Sequence, residues 1–579
     1  METVPSFSKL RKLAGITDSE RKVYPFAVLG DCATQHLSTA VKGYAFHKGY
    51  QFDVFDADYD QVAAQTMDPH SELYRSSPRS ILIFLCTEKL YEAYTKKEMA
   101  ARADFAEEEC RKITSYWKNI NQYSDANILH FLYSETDDRI FGSYGLDLEI
   151  SFIYQLKKLN VLLMEKRKEY KSVYLLDLND IEKALGSSVY KDRKLYYLAK
   201  VPFSLNSLPY IAKKVIDTIK AMDGKVKKCV ILDLDNTLWG GVIGDDGMEG
   251  IEIGELGMGH AFSDFQTWLR ELKNRGIILG ICSKNNDDTA KEPFLHHPEM
   301  VLRLEDISIF VANWNDKATN LRYIQKTLNI GMDSIVFLDD NPFERNLVRD
   351  TVEGITVPEL PEDPAEYVSY LESLNLFETV SYSEADAERT KQYQAEVNRQ
   401  ELENEFASFD DYLESLEMCA EVKPFDSFHF PRIAQLTQRS NQFNLRTVRY
   451  TEDEIRSIAE DGEKVTAYFT LQDRFGDYGL ISVLIMEKKD EETLFINEWL
   501  MSCRVLKRGM EEFIINHIVS LAKEKGYRYV IGEYIPTKKN KMVMEIYPEH
   551  GFEKIGEGLY RIDTTQYKET HTFIKEVQE

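Results

Sequence analysis

The run Val230-Ile231-Leu232-Asp233-Leu234-Asp235-Asn236-Thr237-Leu238-Trp239-Gly240-Gly241 constrains this chain most. A stretch of apolar residues ends in two carboxylates two positions apart. Strand periodicity is two, so Asp233 and Asp235 point the same way from the carboxyl end of one buried strand. Open α/β sheets keep their chemistry at that edge. Two acids there suit a Mg²⁺-assisted phosphoryl transfer, one attacking phosphorus and the other moving a proton. The same letters also fit a strand that ends in an Asp-Asn turn.

The rest of the chain supplies what such a site needs: a donor for the phosphoryl oxygens, a fixed cation, and a further acid for the metal. Ser283 and Asn285 follow the apolar run Ile277–Cys282. Lys317 opens an expected helix in Asn313-Trp314-Asn315-Asp316-Lys317-Ala318. Ile335-Val336-Phe337-Leu338 ends in Asp339-Asp340-Asn341-Pro342. The stretches 242–260 and 286–316 are too short for a full lid domain. An open site excludes water poorly but admits a large substrate, so a substrate carried on a macromolecule, or chemistry handed to another domain, is expected.

At about 150 residues per domain, 579 residues suggest three or four domains. Strands at 26–29, 80–85, 127–132 and 173–177 alternate with amphipathic segments, which implies a parallel sheet covered on both faces. The grammar repeats over 225–375. A charged stretch without Gly or Pro, 382–409, reads as a solvated connecting helix. Beyond it, strands at 465–471, 480–486, 495–501 and 529–534 surround a helix near 505–525, an α+β pattern. The expected boundaries are 1–222, 223–378, 379–410 and 411–579. The formal net charge of -26 argues against nucleic-acid binding. No apolar run approaches the ~20 residues that span a bilayer, and residues 1–24 lack a signal-peptide core. Seven cysteines without a CxxC pair suggest a reducing, cytoplasmic setting with neither a disulfide framework nor a zinc cage.

The ordered set Asp233, Asp235, Ser283, Lys317, Asp339 resembles the haloacid dehalogenase (HAD) superfamily. That resemblance implies Asp233 as the nucleophile forming an aspartyl-phosphate and Asp235 as the acid that protonates the leaving oxygen and later activates water. It implies Ser283 and Lys317 on the phosphoryl group, with Thr237 and Asn285 also contacting substrate. Mg²⁺ would lie among Asp233, Asp339 and the backbone carbonyl of Asp235, with Asp340 behind them.

Longer stretches, Leu302–Asp306, Asn313–Leu321, Phe337–Arg345, Val357–Pro361 and Asn441–Thr447, resemble the FkbH-like family over nearly the whole chain. The family implies a multidomain α/β protein: an SGNH-like parallel α/β domain, a HAD Rossmann-like domain with a minimal cap, and a GNAT-like α+β domain. It also implies an activity, in which 1,3-bisphosphoglycerate, a phosphorylated three-carbon substrate, loses both phosphates. A glyceryl group is loaded through a cysteine thioester onto the phosphopantetheine arm of an acyl carrier protein. Cys282, beside Ser283, and Cys503, at a strand-to-helix junction near Arg504, Lys507 and Arg508, are the candidate thiols, with Cys503 favoured. Arg504 and Gly509, in a loop similar to the GNAT pyrophosphate loop, and Asn540 are the candidate pantetheine contacts. Lys507 stands where that loop carries its first glycine, which leaves room for a pantetheine arm rather than CoA. The N-terminal domain carries Gly30-Asp31-Cys32 where an SGNH hydrolase has Gly-Asp-Ser. The Asp-x-x-His partner is missing at Asp192-Arg193-Lys194-Leu195, so a scaffold role is expected. Two other readings stay open: a plain Mg²⁺ phosphatase acting on a carrier-linked or saccharide phosphate, and a non-catalytic carrier-protein adaptor.

Overall fold

The computed structural model describes residues 4–382, 389–403, 406, 408–440, 442–502, 505–537 and 539–577. They form two compact units, one of 1–222 with 373–380 and one of 223–372 with 381–579.

The first unit is built on five parallel strands, β1 (Val23–Gly30), β2 (Gln51–Asp56), β3 (Ser80–Phe84), β4 (Asn127–Phe131) and β5 (Val173–Leu176), in the order β2-β1-β3-β4-β5. β3 is buried at every position, as a strand covered on both faces must be. The helices Gln35–His47 and Leu208–Met222 cover one face, and Phe105–Tyr123 and Phe152–Arg167 the other. The order reverses between β1 and β3, the position at which open α/β sheets place their ligands.

In the second unit a four-stranded parallel sheet carries β6 (Cys229–Leu232), β7 (Ile278–Ser283), β8 (Ile309–Ala312) and β9 (Ile335–Leu338) in the order β8-β7-β6-β9. The segment between β6 and β7 forms only the short helix Ile243–Gly250 before the long helix Met258–Asn274. No separate lid domain is inserted there.

The same unit holds a nine-stranded, mostly antiparallel sheet. Its strands are β10 (Cys419–Ala420), β11 (Val422–Lys423), β12 (Lys464–Asp473), β13 (Gly476–Lys488), β14 (Thr493–Met501), β15 (Tyr529–Glu533), β16 (Glu553–Gly556), β17 (Leu559–Asp563) and β18 (Lys575–Glu576). β14 and β15 run parallel and pair only from Thr493 to Ile496. The helix Met510–Glu524 packs on one face of this sheet, and Phe430–Arg439 with Glu452–Glu460 on the other. Parallel α/β layers plus an α+β sheet are the fold class expected.

The connecting segment departs from expectation. Arg389–Glu403 is a helix, but it is not a solvated one. Tyr393 and Val397 pack on the core of the four-stranded sheet. Gln394 Nε2 donates to the carbonyls of Glu305 (3.1 Å) and Ile307 (2.9 Å). On the same helix Arg399, 2% exposed, makes a bidentate pair with Asp473 at the end of β12, at 2.6 and 2.7 Å. Its guanidinium lies 4.1 Å from the centre of the Tyr478 ring. A stretch of polar letters is a half-buried strut because its polar groups find partners far away in sequence. Among the described residues no helix is long and apolar enough to cross a membrane.

Candidate active site

β6 delivers Asp233 to the open edge, and the ladder continues one residue further: the Asp233 N–H donates to the Leu338 carbonyl at 2.9 Å. The chain then turns sharply. Asn236 takes a left-handed conformation (φ 54°), which asparagine tolerates better than most residues. Its side-chain oxygen accepts the Gly241 N–H at 3.0 Å, and its backbone carbonyl accepts the Tyr367 hydroxyl at 3.2 Å. Gly241 sits at φ 88°, where a Cβ would meet Asp246 Oδ2 at 2.8 Å. The turn is therefore pinned from both ends.

Three carboxylates converge there. Oxygens of Asp233, Asp339 and Asp340 lie within 4.8 Å of one another. Lys317 Nζ sits on Asp233 Oδ2 at 2.8 Å and on Asp339 Oδ2. It holds that place because Asp316 caps the helix Lys317–Thr327, accepting the Thr319 N–H at 2.8 Å. Lys317 is 2% exposed. Burial pulls its pKa down, but the Asp233 and Asp339 charges outweigh that and the net shift is upward. Burial, then the Asp233 charge, pushes Asp339 up to about 6 against the pull of Lys317. Asp340 is raised for the same two reasons. Asp233 Oδ1 is buried and has no hydrogen-bond partner. An orphaned carboxylate oxygen beside two further acids is what a hard dication with few protein ligands requires, so the donor set fits Mg²⁺.

Asp235 is held apart from that group. Its Oδ1 accepts the Trp239 indole N–H and the Ile243 N–H, both at 3.0 Å, and its Oδ2 accepts Asn285 Nδ2 at 3.0 Å. Burial raises its carboxyl above the ordinary value. An acid whose proton is held more readily, next to carboxylates that face a cation, is equipped to exchange protons with a leaving oxygen. Ser283 closes β7 and is 2% exposed.

Several expected contacts are supports instead. Asn285 donates one of its two amide N–H bonds to Asp235 and so orients that acid. Thr237 is fully buried, and its hydroxyl is engaged with Asp340, accepting the backbone N–H at 3.1 Å and lying 3.3 Å from Oδ1. The side chain of Asp235 is not among the converging carboxylates. Cys282 is fully buried in the apolar core of the four-stranded sheet, and burial pushes its thiol well above the usual range. β7 runs on through Ser283, so strand alternation holds and turns Cys282 away from the site. Two supports carried no sequence expectation. Arg345 donates to the carbonyls of Asp339 (2.8 Å) and Asp340 (2.6 Å), which fixes the acidic turn. Lys284 pairs with Glu344 at 2.6 Å, joining the ends of β7 and β9.

In the nine-stranded sheet Cys503 and Arg504 lie outside the described residues. Gly509 caps the helix Met510–Glu524 at φ 81°, and its carbonyl accepts the Phe513 N–H and the Thr572 hydroxyl. Asn540 is fully buried and fully used. Its Nδ2 donates to Asn444 O (2.9 Å) and Ile535 O (3.0 Å), and its Oδ1 accepts the Thr537 N–H at 2.7 Å. It is an internal brace, not a ligand contact. The segment it braces fills the gap where β14 and β15 part: Met501 N–H donates to Phe443 O at 3.0 Å and Ile535 N–H to Leu445 O at 2.8 Å. In the first unit, Asp192 caps the helix Arg193–Ala199 through the Leu195 N–H at 3.0 Å. Asp192 is thus occupied as a helix cap.

A family model described as the FkbH N-terminal domain matches residues 25–220. The N-terminal part of the protein BF1531 from Bacteroides fragilis, which contains a phosphatase domain and was crystallised with Mg, is 46% identical. The match covers 65% of this chain and 100% of that one, with a TM-score of 0.63. The ribosomal-protein-S18-alanine N-acetyltransferase of Escherichia coli is 11% identical over 26% of this chain and 98% of that one, with a TM-score of 0.21. The spermidine N-acetyltransferase of Vibrio cholerae is 11% identical over 26% and 97%, also with a TM-score of 0.21. At that level neither acetyltransferase carries an argument. No curated protein matches. Close identity over the whole of a phosphatase-bearing relative, with the FkbH match in the first unit, shows that this chain belongs to the FkbH-like family as a phosphatase-like member.

Proposed function

We propose that the chain is a Mg²⁺-dependent enzyme that removes phosphate from a phosphoglycerate-type substrate, 1,3-bisphosphoglycerate, and passes the glyceryl group to an acyl carrier protein. The buried, partnerless Asp233 Oδ1 beside Asp339, Asp340 and Lys317 carries this reading. Mg²⁺ would be held by Asp233, Asp339 and Asp340 and would supply positive charge to the phosphoryl oxygens. Asp233 attacks the phosphorus of the 3-phosphate ester, and the ester oxygen leaves with the proton of Asp235. Asp235, then ionised, takes a proton from water as that water cleaves the aspartyl-phosphate. Lys317 pairs with Asp233 and offsets the phosphoryl charge, and Ser283 donates to a phosphoryl oxygen.

The 1-position is an acyl phosphate and already activated. A cysteine thiolate captures the acyl carbon, phosphate leaves, and a thioester forms. Cys503 is the residue assigned to that step, since Cys282 is sealed in the core. Phe443–Leu445 occupies the gap between β14 and β15, so the carrier's pantetheine arm approaches from elsewhere on the module or displaces that segment.

Intact-protein mass spectrometry after incubation with freshly made 1,3-bisphosphoglycerate and Mg²⁺ tests the reading. A glyceryl-sized adduct on the wild type and Cys282→Ala, absent from Cys503→Ala, is expected. Phosphate release with no adduct reduces the protein to a phosphatase. Neither adduct nor phosphate leaves only the adaptor reading.

A further inference from the structure

We propose that Asp31, Cys32 and Cys86 form a second metal site, a thiolate-rich one for a soft divalent cation of the zinc class. The phosphatase reading does not use these residues. Cys32 follows β1 and Cys86 follows β3, so the two thiols stand at the carboxyl ends of the strands between which the order reverses. Ligands of open α/β sheets bind there. An oxygen of Asp31 and both sulfurs lie within 4.8 Å of one another. Tetrahedral zinc with Zn–S of about 2.3 Å sets its sulfurs ~3.8 Å apart, so closure needs shifts of about 1 Å at most.

The site is built rather than incidental. Cys32 is 2% and Cys86 1% exposed. The Cys86 N–H donates to Asp31 Oδ1 at 2.9 Å, which fixes the carboxylate between the two strand ends. The Ala33 N–H donates to the carbonyl of Lys200, tying down the turn after Cys32.

What the cluster lacks is positive charge. Among the described residues no lysine, arginine or histidine nitrogen pairs with Asp31. Lys89, whose charge reaches Asp31, has its Nζ on Asp60 at 2.7 Å and on the Tyr59 hydroxyl at 3.3 Å. In the phosphatase site Lys317 offsets the clustered acids. Here a dication would, and two thiolates select a soft one over Mg²⁺. Binding replaces the two S–H bonds with S–metal bonds and releases about two protons to solvent, with no change of oxidation state. Three protein ligands leave the fourth position of a tetrahedral ion to water or a further ligand.

The test uses the reduced, metal-stripped full chain in excess Mg²⁺, which saturates hard-oxygen sites. Cd²⁺ is titrated in and the ultraviolet thiolate-to-cadmium charge-transfer band is followed. The wild type should saturate at one equivalent, release protons, and give up the band to Zn²⁺. Cys32→Ala and Cys86→Ala should lose the one-equivalent band. Asp31→Asn should keep a band with affinity weakened at least 10–100-fold, the cost of even an outer-shell loss. No band at one equivalent in the wild type overturns the proposal without recourse to any variant. So does a band that survives undiminished in both cysteine variants.

Discussion

Lys317 is the residue on which the phosphatase site balances. It is buried against two carboxylates, so removing it leaves charge in the interior rather than at the surface. Lys317→Met should cost roughly 3–5 kcal/mol of stability near neutral pH, as breaking a buried pair does. Mg²⁺ should restore part of that loss by taking over the same carboxylates, which denaturant titrations with and without the ion would show. Glu498 is the opposite case. It is fully buried on β14, and neither oxygen has a hydrogen-bond partner. Burial pushes it up to about 8 from its ordinary 4.5. The folded state therefore prefers the protonated acid, and its stabilising effect is complete below pH 4.5 and disappears as pH rises through 8. Linkage sets the full swing on the order of 4–5 kcal/mol. Glu498→Gln should flatten the stability profile between those pH values and leave the variant more stable than wild type at pH 9. A profile as steep as wild type would remove Glu498 from the account.

At the scale of elements, what the sequence disclosed depended on how local each interaction is. Asp233, Ser283, Lys317 and Asp339 were legible because each closes or follows a buried strand, and the signal lies within a few letters. The short strands β2 and β8 escaped notice, since four to six residues with alternating or partial burial leave little periodicity. Arg345 stood inside a recognised motif, but its task, holding the carbonyls of Asp339 and Asp340, depends on backbone geometry. Family resemblance alone implies Thr237, Asn285 and Asn540 as ligand contacts. Their hydrogen bonds are spent inside the protein, and only three-dimensional partners reveal it. The strut Arg389–Glu403 is the clearest case. Arg399 reads as solvated until Asp473, 74 residues away, is placed beside it.

On the scale of the whole molecule, that strut is the mechanical link inside the second unit. One face packs on the four-stranded sheet, and Arg399 clamps the nine-stranded one. Arg399→Met leaves Asp473 buried without its partner and should cost roughly 3–5 kcal/mol. Calorimetry should then show the second unit's single melting transition split in two, with the nine-stranded sheet melting first. A single transition shifted as a whole would mean that other contacts carry the coupling.

The most direct test of the central claim is the Mg²⁺ dependence of phosphate release from a phosphoglycerate-type monoester, compared between wild type and Asp233→Asn. The account predicts release by the wild type that stops when EDTA removes the ion, and no release above background by a folded Asp233→Asn protein under any condition. Release by Asp233→Asn at the wild-type rate would contradict it, because Asp233 would then not be the attacking residue.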